Sequence, residues 1–185
     1  MKYVLLALVL LGAVLLLCMG CRRSETPEQK LIRRIKVHLD TYVTRLKTRF
    51  PDDPRVERLR QRYASTKVFE SNNHETFTLN KGEQIVMCLR NYAQHKKLHD
   101  EFNLLVFVGL HELAHVMSTS VDHTVEFWAN FKFILRCAAE MNLYDPVDYA
   151  LDPMWYCAMV VHDNPYFYER TPREFLDQMQ AIVLG

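Results

Sequence analysis

Three features of the sequence predict an α+β fold behind an apolar N-terminal segment. Thr76-Phe77-Thr78-Leu79-Asn80 alternates polar and apolar side chains, Lys81-Gly82 reads as a turn, and Ile85-Val86-Met87-Cys88-Leu89 is a short apolar run. Residues 76–89 are therefore expected as strand, turn, strand, the second strand being the more buried. Leu104 to about Met117 is strongly apolar, and Thr124 to about Met141 carries apolar residues every three to four positions, so both read as helices. Val4 to Cys21 is an 18-residue run without a charge. As a helix it would span roughly 27 Å, just under a hydrocarbon core of about 30 Å.

Three readings of residues 1–21 compete: a cleaved signal peptide, a lipoprotein signal using Cys21, and an uncleaved transmembrane helix. Length favours the uncleaved anchor. Arg22, Arg23, Lys30, Arg33, Arg34 and Lys36 follow it, against Lys2 alone on the other side, which places the C-terminal domain in the cytosol by the positive-inside rule. A single-pass protein, in contact with a membrane through residues 4–21, is the expectation.

Residues 22–62 read as a basic helical stalk. Thr26 suits a cap, Pro27 the first helical position and Glu28 the positive end of the helix dipole. Leu31, Ile35, Leu39, Tyr42, Leu46 and Phe50 recur at helical spacing, Pro51-Asp52-Asp53-Pro54 stops the helix, and a second runs from about Arg55 to Tyr63. The remainder, 63–185, is expected as one domain. It holds a polar loop from Asn91 to Asp100, a cap at Asp100 or Asn103 for the helix from Leu104, and a last helix from about Pro172 to Val183.

The 185 residues are 49% hydrophobic and 24% charged, which excludes a disordered chain, a collagen-like repeat and a disulfide-rich miniprotein. A net charge of +1 argues against gripping nucleic acid by bulk charge. The balance is uneven, however: residues 22–62 hold 13 basic and 6 acidic side chains, and residues 63–185 hold 9 and 16. The basic stretch suits an anionic leaflet or nucleic acid, with a plain solvated face as the simpler reading. Cys88, Cys137 and Cys157 lie far apart without metal-type spacing, and reduced thiols are expected.

The chemistry concentrates at His111-Glu112-Leu113-Ala114-His115, an HExxH sequence inside an apolar stretch. Positions i and i+4 share a helix face, so both imidazoles can reach one zinc ion at about 2.0–2.1 Å. Glu112, rotated about 100° away, sits where a general base for a metal-activated water is needed. Burying two histidines and a glutamate among apolar residues is costly without partners, which favours a site over a satisfied core. A catalytic zinc needs a third protein ligand, and His123, eight residues after His115, is the candidate. Ser118 to Asp122 can turn the chain back, with Asp122 tolerating left-handed geometry; Asp122, Glu126 and Glu140 are fallback carboxylate ligands. His95 and His99 read as surface residues, His162 as a plain loop residue with a transition-state donor as the alternative, and Phe127, Trp128 and Phe131 as core beneath the metal. Several tyrosines, Tyr144, Tyr149 and Tyr156 among them, are candidate oxyanion donors.

HELAH, seven residues, then His123-Thr124-Val125-Glu126-Phe127-Trp128 resembles the WLM and SprT-like zinc metallopeptidases. Thr78-Leu79-Asn80-Lys81-Gly82, Cys88-Leu89-Arg90, Tyr144-Asp145-Pro146-Val147-Asp148-Tyr149 and Tyr156-Cys157-Ala158-Met159 look like a branch encoded by large nucleocytoplasmic DNA viruses. The resemblance covers about residues 65 to 168. It implies a minimal zincin fold, a small sheet packed on the active-site helix, with zinc on His111, His115 and His123 and Glu112 as the catalytic residue. Asp122 and Ala158 stand where that pattern would have glycine. The implied function is a membrane-anchored zinc metallopeptidase acting on protein or peptide, in a host or virion membrane if viral. The alternatives are an inactive, zinc-stabilised structural protein and a membrane-proximal binding module using the basic stalk, for which nucleic acid is the less favoured partner.

Overall fold

The computed structural model describes residues 24–168. In chain order they form α1 (Pro27–Arg49), α2 (Pro54–Tyr63), β1 (Lys67–Glu70), β2 (Phe77–Leu79), β3 (Gln84–Met87), β4 (Arg90–Asn91), a 3-10 turn (Tyr92–Gln94), β5 (Lys97–Leu98), α3 (Phe102–Met117), α4 (Val125–Glu140), β6 (Met154–Tyr156) and β7 (Met159–Val161). The main sheet has the order β1-β3-β2, with β1 parallel and β2 antiparallel to β3; β4-β5 and β6-β7 are two-stranded antiparallel pairs.

Helix α3 is the centre of the domain. Its buried positions run almost all round it, from Leu104 to Met117, as expected of a helix enclosed by other elements. It packs against α1, α2, α4 and β2. Gly109 is what lets α1 come close: a Cβ there would stand 3.2 Å from Leu39 Cδ2. Helix α1 starts at a full capping box, Thr26 with Gln29, and buries Ile35, Leu39, Tyr42, Val43 and Leu46 along one stripe. The Tyr42 hydroxyl donates to the Ile134 carbonyl at 3.0 Å, tying α1 to α4. Helix α2 is capped by Asp53 and buries Val56, Leu59 and Tyr63. Strand β3, with Ile85 and Met87 buried, is the enclosed strand of the sheet, while β2 stays at the edge with Phe77 and Leu79 exposed.

Several expectations are corrected. The single-pass membrane protein is not supported: among the described residues no helix is long and apolar enough to cross a membrane. The segment 4–21 on which that transmembrane helix and its localisation rested lies outside the described residues, as does the helix expected from Pro172. Residues 27–63 are not set apart as a stalk, because α1 and α2 give their apolar faces to the same core as α3. Their cations are largely engaged within the fold, Arg33 with Glu25, Arg55 with Asp53 and Arg60 with Glu57. Neither Asp100 nor Asn103 caps α3; Asn103 instead exchanges two hydrogen bonds with the backbone of Asp145, at 2.7 and 3.0 Å. Strand β1 and the short pairs β4-β5 and β6-β7 were not expected, since two to four residues are too few to show a period.

The reading of all thiols as reduced is corrected as well. Cys88, just after β3, and Cys157, in the β6-β7 turn, form a disulfide across 69 residues of sequence, and Cys137 is a buried free thiol. A crosslink of that span restricts the unfolded chain, a stabilisation of about 2–5 kcal/mol. Replacing both cysteines with serine, or adding reductant, is expected to lower the urea midpoint correspondingly. An unchanged midpoint would show that the bridge adds no stability.

Candidate metal centre

The site grows from the C-terminal half of α3. His111 and His115 lie one turn apart on its exposed side, and the helix ends at Met117. The chain then reverses through Ser118–Asp122 and enters α4, whose cap Thr124 accepts from the Phe127 amide at 3.3 Å. Asp122 takes the left-handed conformation, φ 64°, which is the geometry its position in the reversal requires. This places His123 Nε2 3.0 Å from His111 Nε2 and 3.2 Å from His115 Nε2, with 3.3 Å between the latter two. The three imidazoles converge on one point and form a cluster that could hold a metal ion. His111 and His115 are half-buried and His123 is exposed, so the cluster opens to solvent on one side.

A dense set of polar contacts fixes the reversal. Arg58 donates to the Met117 carbonyl at 2.9 Å, and Arg62 to those of Val116 and Ser118 at 2.9 and 2.7 Å. Two guanidinium groups thus meet the carbonyl end of α3, where the helix dipole favours positive charge. Lys81, in the β2-β3 turn, donates to the Ser120 carbonyl. Glu126 Oε1 accepts from the Thr119 amide at 2.8 Å, and Oε2 from the Ser120 amide and Thr119 hydroxyl at 2.9 and 2.6 Å. Asn130 donates to Ser118 Oγ at 3.0 Å. Gly82, φ 113°, closes the β2-β3 turn where a Cβ would stand 2.9 Å from Val116 Cγ1, so this turn sits directly on the end of α3.

Phe127 is the floor of the cluster, its ring centroid 4.9, 4.3 and 4.6 Å from those of His111, His115 and His123. Burial depresses the His111 pKa far below the ordinary histidine value, with help from His115 and His123. His115 falls to about 4 through burial and the neighbouring His123 and Lys81, and burial lowers His123 too. Near neutral pH the three rings are therefore neutral, the form in which imidazole binds a cation.

Glu112 is 3% exposed. Its Oε2 accepts a 2.7 Å hydrogen bond from Thr78 Oγ1 on β2. Burial raises its pKa to about 7, the Thr78 hydrogen bond acting in the opposite direction. Two cavities meet at this residue. One, about 430 Å³, opens over all three histidines, and the other, about 420 Å³, extends away from them between α3, α4 and the β6-β7 pair. His111, Glu112 and Thr76 line both.

The structure thus brings His111, His115 and His123 together with Glu112 alongside. Of the fallback carboxylates, Glu126 braces the reversal and Glu140 pairs with Arg49 at 2.5 Å at the far end of α4, whereas Asp122 lies exposed beside His123 and lines the cavity over the histidines. His95 is exposed, but His99 is not a surface residue; it is buried, stacks on Tyr156 and accepts from the Cys157 amide at 3.3 Å. The Tyr156 hydroxyl bonds Cys88 O and Thr76 Oγ1, at 2.9 and 2.6 Å, and the Tyr144 hydroxyl is bound by Asn164 at 2.8 Å. The left-handed residue of the β6-β7 turn is Cys157, φ 56°, and not Ala158. Thr78, Lys81, Arg58 and Arg62 escaped the sequence reading, because nothing local in their segments points to α3.

Burial opposes ionisation of Glu126, but hydrogen bonds from Thr119 and Ser120 outweigh it and hold the carboxyl at about 2, below the ordinary 4.5. A depressed carboxyl stabilises the fold above its unfolded pKa and loses that contribution as pH falls from 4.5 towards 2. Glu126→Gln is expected to cost about 1–2 kcal/mol at pH 7, allowing for partial solvent screening. The gap between the variant's and the native protein's unfolding curves should close between pH 4.5 and about 2. A gap that ignores pH would contradict this role.

Among known proteins, the chain is 33% identical over 136 residues to "Uncharacterized protein R325" of Acanthamoeba polyphaga mimivirus, covering 71% of this chain and 68% of that protein. It is 38% identical over 71 residues to "Uncharacterized protein 136R" of Invertebrate iridescent virus 6, covering 38% of this chain and 39% of the relative. It is 39% identical over 74 residues to "Uncharacterized protein 042R" of Invertebrate iridescent virus 3, covering 40% and 45%. No established family description and no solved structure matches. With two thirds of the mimivirus protein covered at this identity, the chain belongs to the family of protein R325.

Proposed function

We propose that the protein is a zinc-dependent metallopeptidase. The observation that carries this reading is the convergence of three imidazole nitrogens, 3.0 to 3.3 Å apart, beside a buried carboxyl at the junction of two open cavities. Nitrogens about 2.0–2.1 Å from one tetrahedral zinc stand roughly 3.3–3.4 Å from each other, so the donor set fits that ion closely. Its all-nitrogen, neutral character suits zinc better than calcium or magnesium, which take oxygen ligands. The exposed side of the cluster leaves room for substrate, as a catalytic site requires.

Zinc held there supplies the Lewis acidity for attack of water on a peptide carbonyl at neutral pH. The remaining work falls to the chain. Glu112 takes the proton from the attacking water and returns it to the amine nitrogen as the carbon–nitrogen bond breaks. Thr78 holds Oε2, which orients the carboxyl and leaves Oε1 as the proton-carrying oxygen. A carboxyl raised to about 7 by burial is matched to giving and taking a proton near neutrality. Phe127 and the braced reversal hold the imidazoles in place. The resemblance of HELAH…His123 to the WLM and SprT-like peptidases supports the same reading.

Glu112→Gln is expected to reduce hydrolysis of a casein or mixed-peptide substrate by about 10²–10⁴-fold while the protein still binds one zinc ion. Thr78→Val should lower turnover with metal content unchanged, and Thr78→Ser, which keeps the hydroxyl, should restore it. Undiminished hydrolysis in the Glu112→Gln variant would refute the peptidase reading.

A further inference from the structure

The Cys88–Cys157 disulfide is one part of a larger clasp. The Cys88 amide donates to Thr76 Oγ1 at 2.9 Å, the Tyr156 hydroxyl donates to the Cys88 carbonyl at 2.9 Å, and the Thr76 and Tyr156 hydroxyls lie 2.6 Å apart. With those two roles taken, the remaining proton runs from Thr76 to Tyr156, which closes a ring of hydrogen bonds. Cys88 is thus held by its amide, its carbonyl and its sulfur. Across the bridge, the Cys157 amide donates to His99 Nε2 at 3.3 Å, and the Cys157 carbonyl accepts from the Tyr92 amide at 3.0 Å. The clasp joins the end of β3, the start of β2 and the β6-β7 pair.

Thr76 lies two residues before Thr78, whose hydroxyl holds Glu112 Oε2 at 2.7 Å, and side chains two apart share one face of an extended segment. Thr76 also lines both cavities that meet at Glu112. The clasp therefore fixes the strand from which Glu112 is oriented. The histidine cluster depends on other residues: Arg58, Arg62, Lys81, Glu126 and Asn130 brace the reversal that carries His123, and none of them belongs to the clasp. Carboxyl and imidazoles are secured by separate sets of contacts.

We infer that the Cys88–Cys157 bridge is a redox latch. Closed, it positions Glu112 through Thr76 and Thr78; opened by a dithiol, it releases the β6-β7 pair and lowers turnover while the metal stays bound. In the opening step a thiolate of the dithiol attacks one bridging sulfur and the S–S bond breaks. Its second thiolate then closes the reductant's own disulfide, and two electrons and two protons pass to Cys88 and Cys157, which end as thiols. Cys157 lines the cavity of about 420 Å³ beside Glu112, the side from which the reductant approaches. Cys88, Tyr156 and Cys157 are positioning residues, acting on the reaction through Thr78. The effect on turnover rests on the peptidase reading; the release of the β6-β7 pair does not.

The full chain, loaded with zinc, is compared before and after reduction with tris(2-carboxyethyl)phosphine and desalting, a phosphine replacing the dithiol so as not to compete for zinc. Zinc content, circular dichroism, casein hydrolysis and hydrogen–deuterium exchange are read on each form. Reduction is expected to lower kcat about tenfold or more, with zinc content and circular dichroism unchanged. Exchange should rise in residues 76–79 and 154–161, and reoxidation should reverse both effects. A Cys88→Ser, Cys157→Ser double variant should behave as the reduced form and ignore the phosphine. A chain carrying Cys18→Ser, Cys21→Ser and Cys137→Ser should still switch. In Thr78→Val, which lacks the link to Glu112, reduction should change kcat by less than about twofold. Unchanged turnover on reduction, loss of zinc and fold along with turnover, or an equal drop in Thr78→Val would each overturn the latch. If the oxidised chain cleaves nothing, the peptidase reading fails and exchange alone decides: a rise confined to those two segments upholds the release of the β6-β7 pair, and no rise overturns it.

Discussion

A helix enclosed by other elements cannot bury two imidazoles and a carboxyl without giving each a partner, and α3 is built around that constraint. Its other buried positions are apolar and packed by α1, α2, α4 and β2. An unpaired polar group in such surroundings costs on the order of 1–3 kcal/mol. The fold meets the demand in two directions. Strand β2 lies over α3 and offers Thr78 to Glu112. The chain beyond α3 doubles back and offers His123 to His111 and His115. Neutral nitrogens facing one another at 3.0 to 3.3 Å satisfy each other only weakly, and the cluster they form could hold a shared cation.

The reversal from Ser118 to Asp122 is consequently the most heavily braced loop near the site. Helix α2 supplies Arg58 and Arg62 to the last carbonyls of α3, the β2-β3 turn supplies Lys81, and α4 supplies Glu126 and Asn130. Five side chains from three elements converge on a few residues, so His123 is located by the whole domain rather than by its own short loop. This also accounts for much of the basic character of residues 22–62. Cations that in the sequence suggest an external anionic partner are engaged within the fold, Arg58 and Arg62 with carbonyls at the end of α3, and Arg55 and Arg60 with the neighbouring surface carboxylates Asp53 and Glu57.

What the sequence made legible was local. Helical periodicity located α1, α2, α3 and α4 to within two residues or so, with Thr26 at the cap of α1. The i,i+4 spacing of His111 and His115, with His123 past a turn, was enough to single out the cluster. The left-handed Asp122 shows why aspartate can stand where glycine would be expected. What stayed hidden depends on distant pairing. Strand β1 is recognisable only through its parallel partner β3, and Thr78 gains meaning only when β2 lies over Glu112. The disulfide joins cysteines 69 residues apart, and His99 is buried because Tyr156 and Cys157 arrive from the far end of the described chain. The single-pass reading drawn from charge and hydropathy finds no support either, since no described helix is long and apolar enough to cross a membrane and residues 4–21 lie outside the described residues.

The central claim is a single metal ion held by three imidazoles with a position left open. X-ray absorption spectroscopy of the zinc-loaded protein tests it most directly. The account predicts a four-coordinate first shell of nitrogen and oxygen only, at about 2.0–2.1 Å, with the outer-shell scattering of three histidine rings. A sulfur ligand near about 2.3 Å, or fewer than three imidazoles, would contradict it.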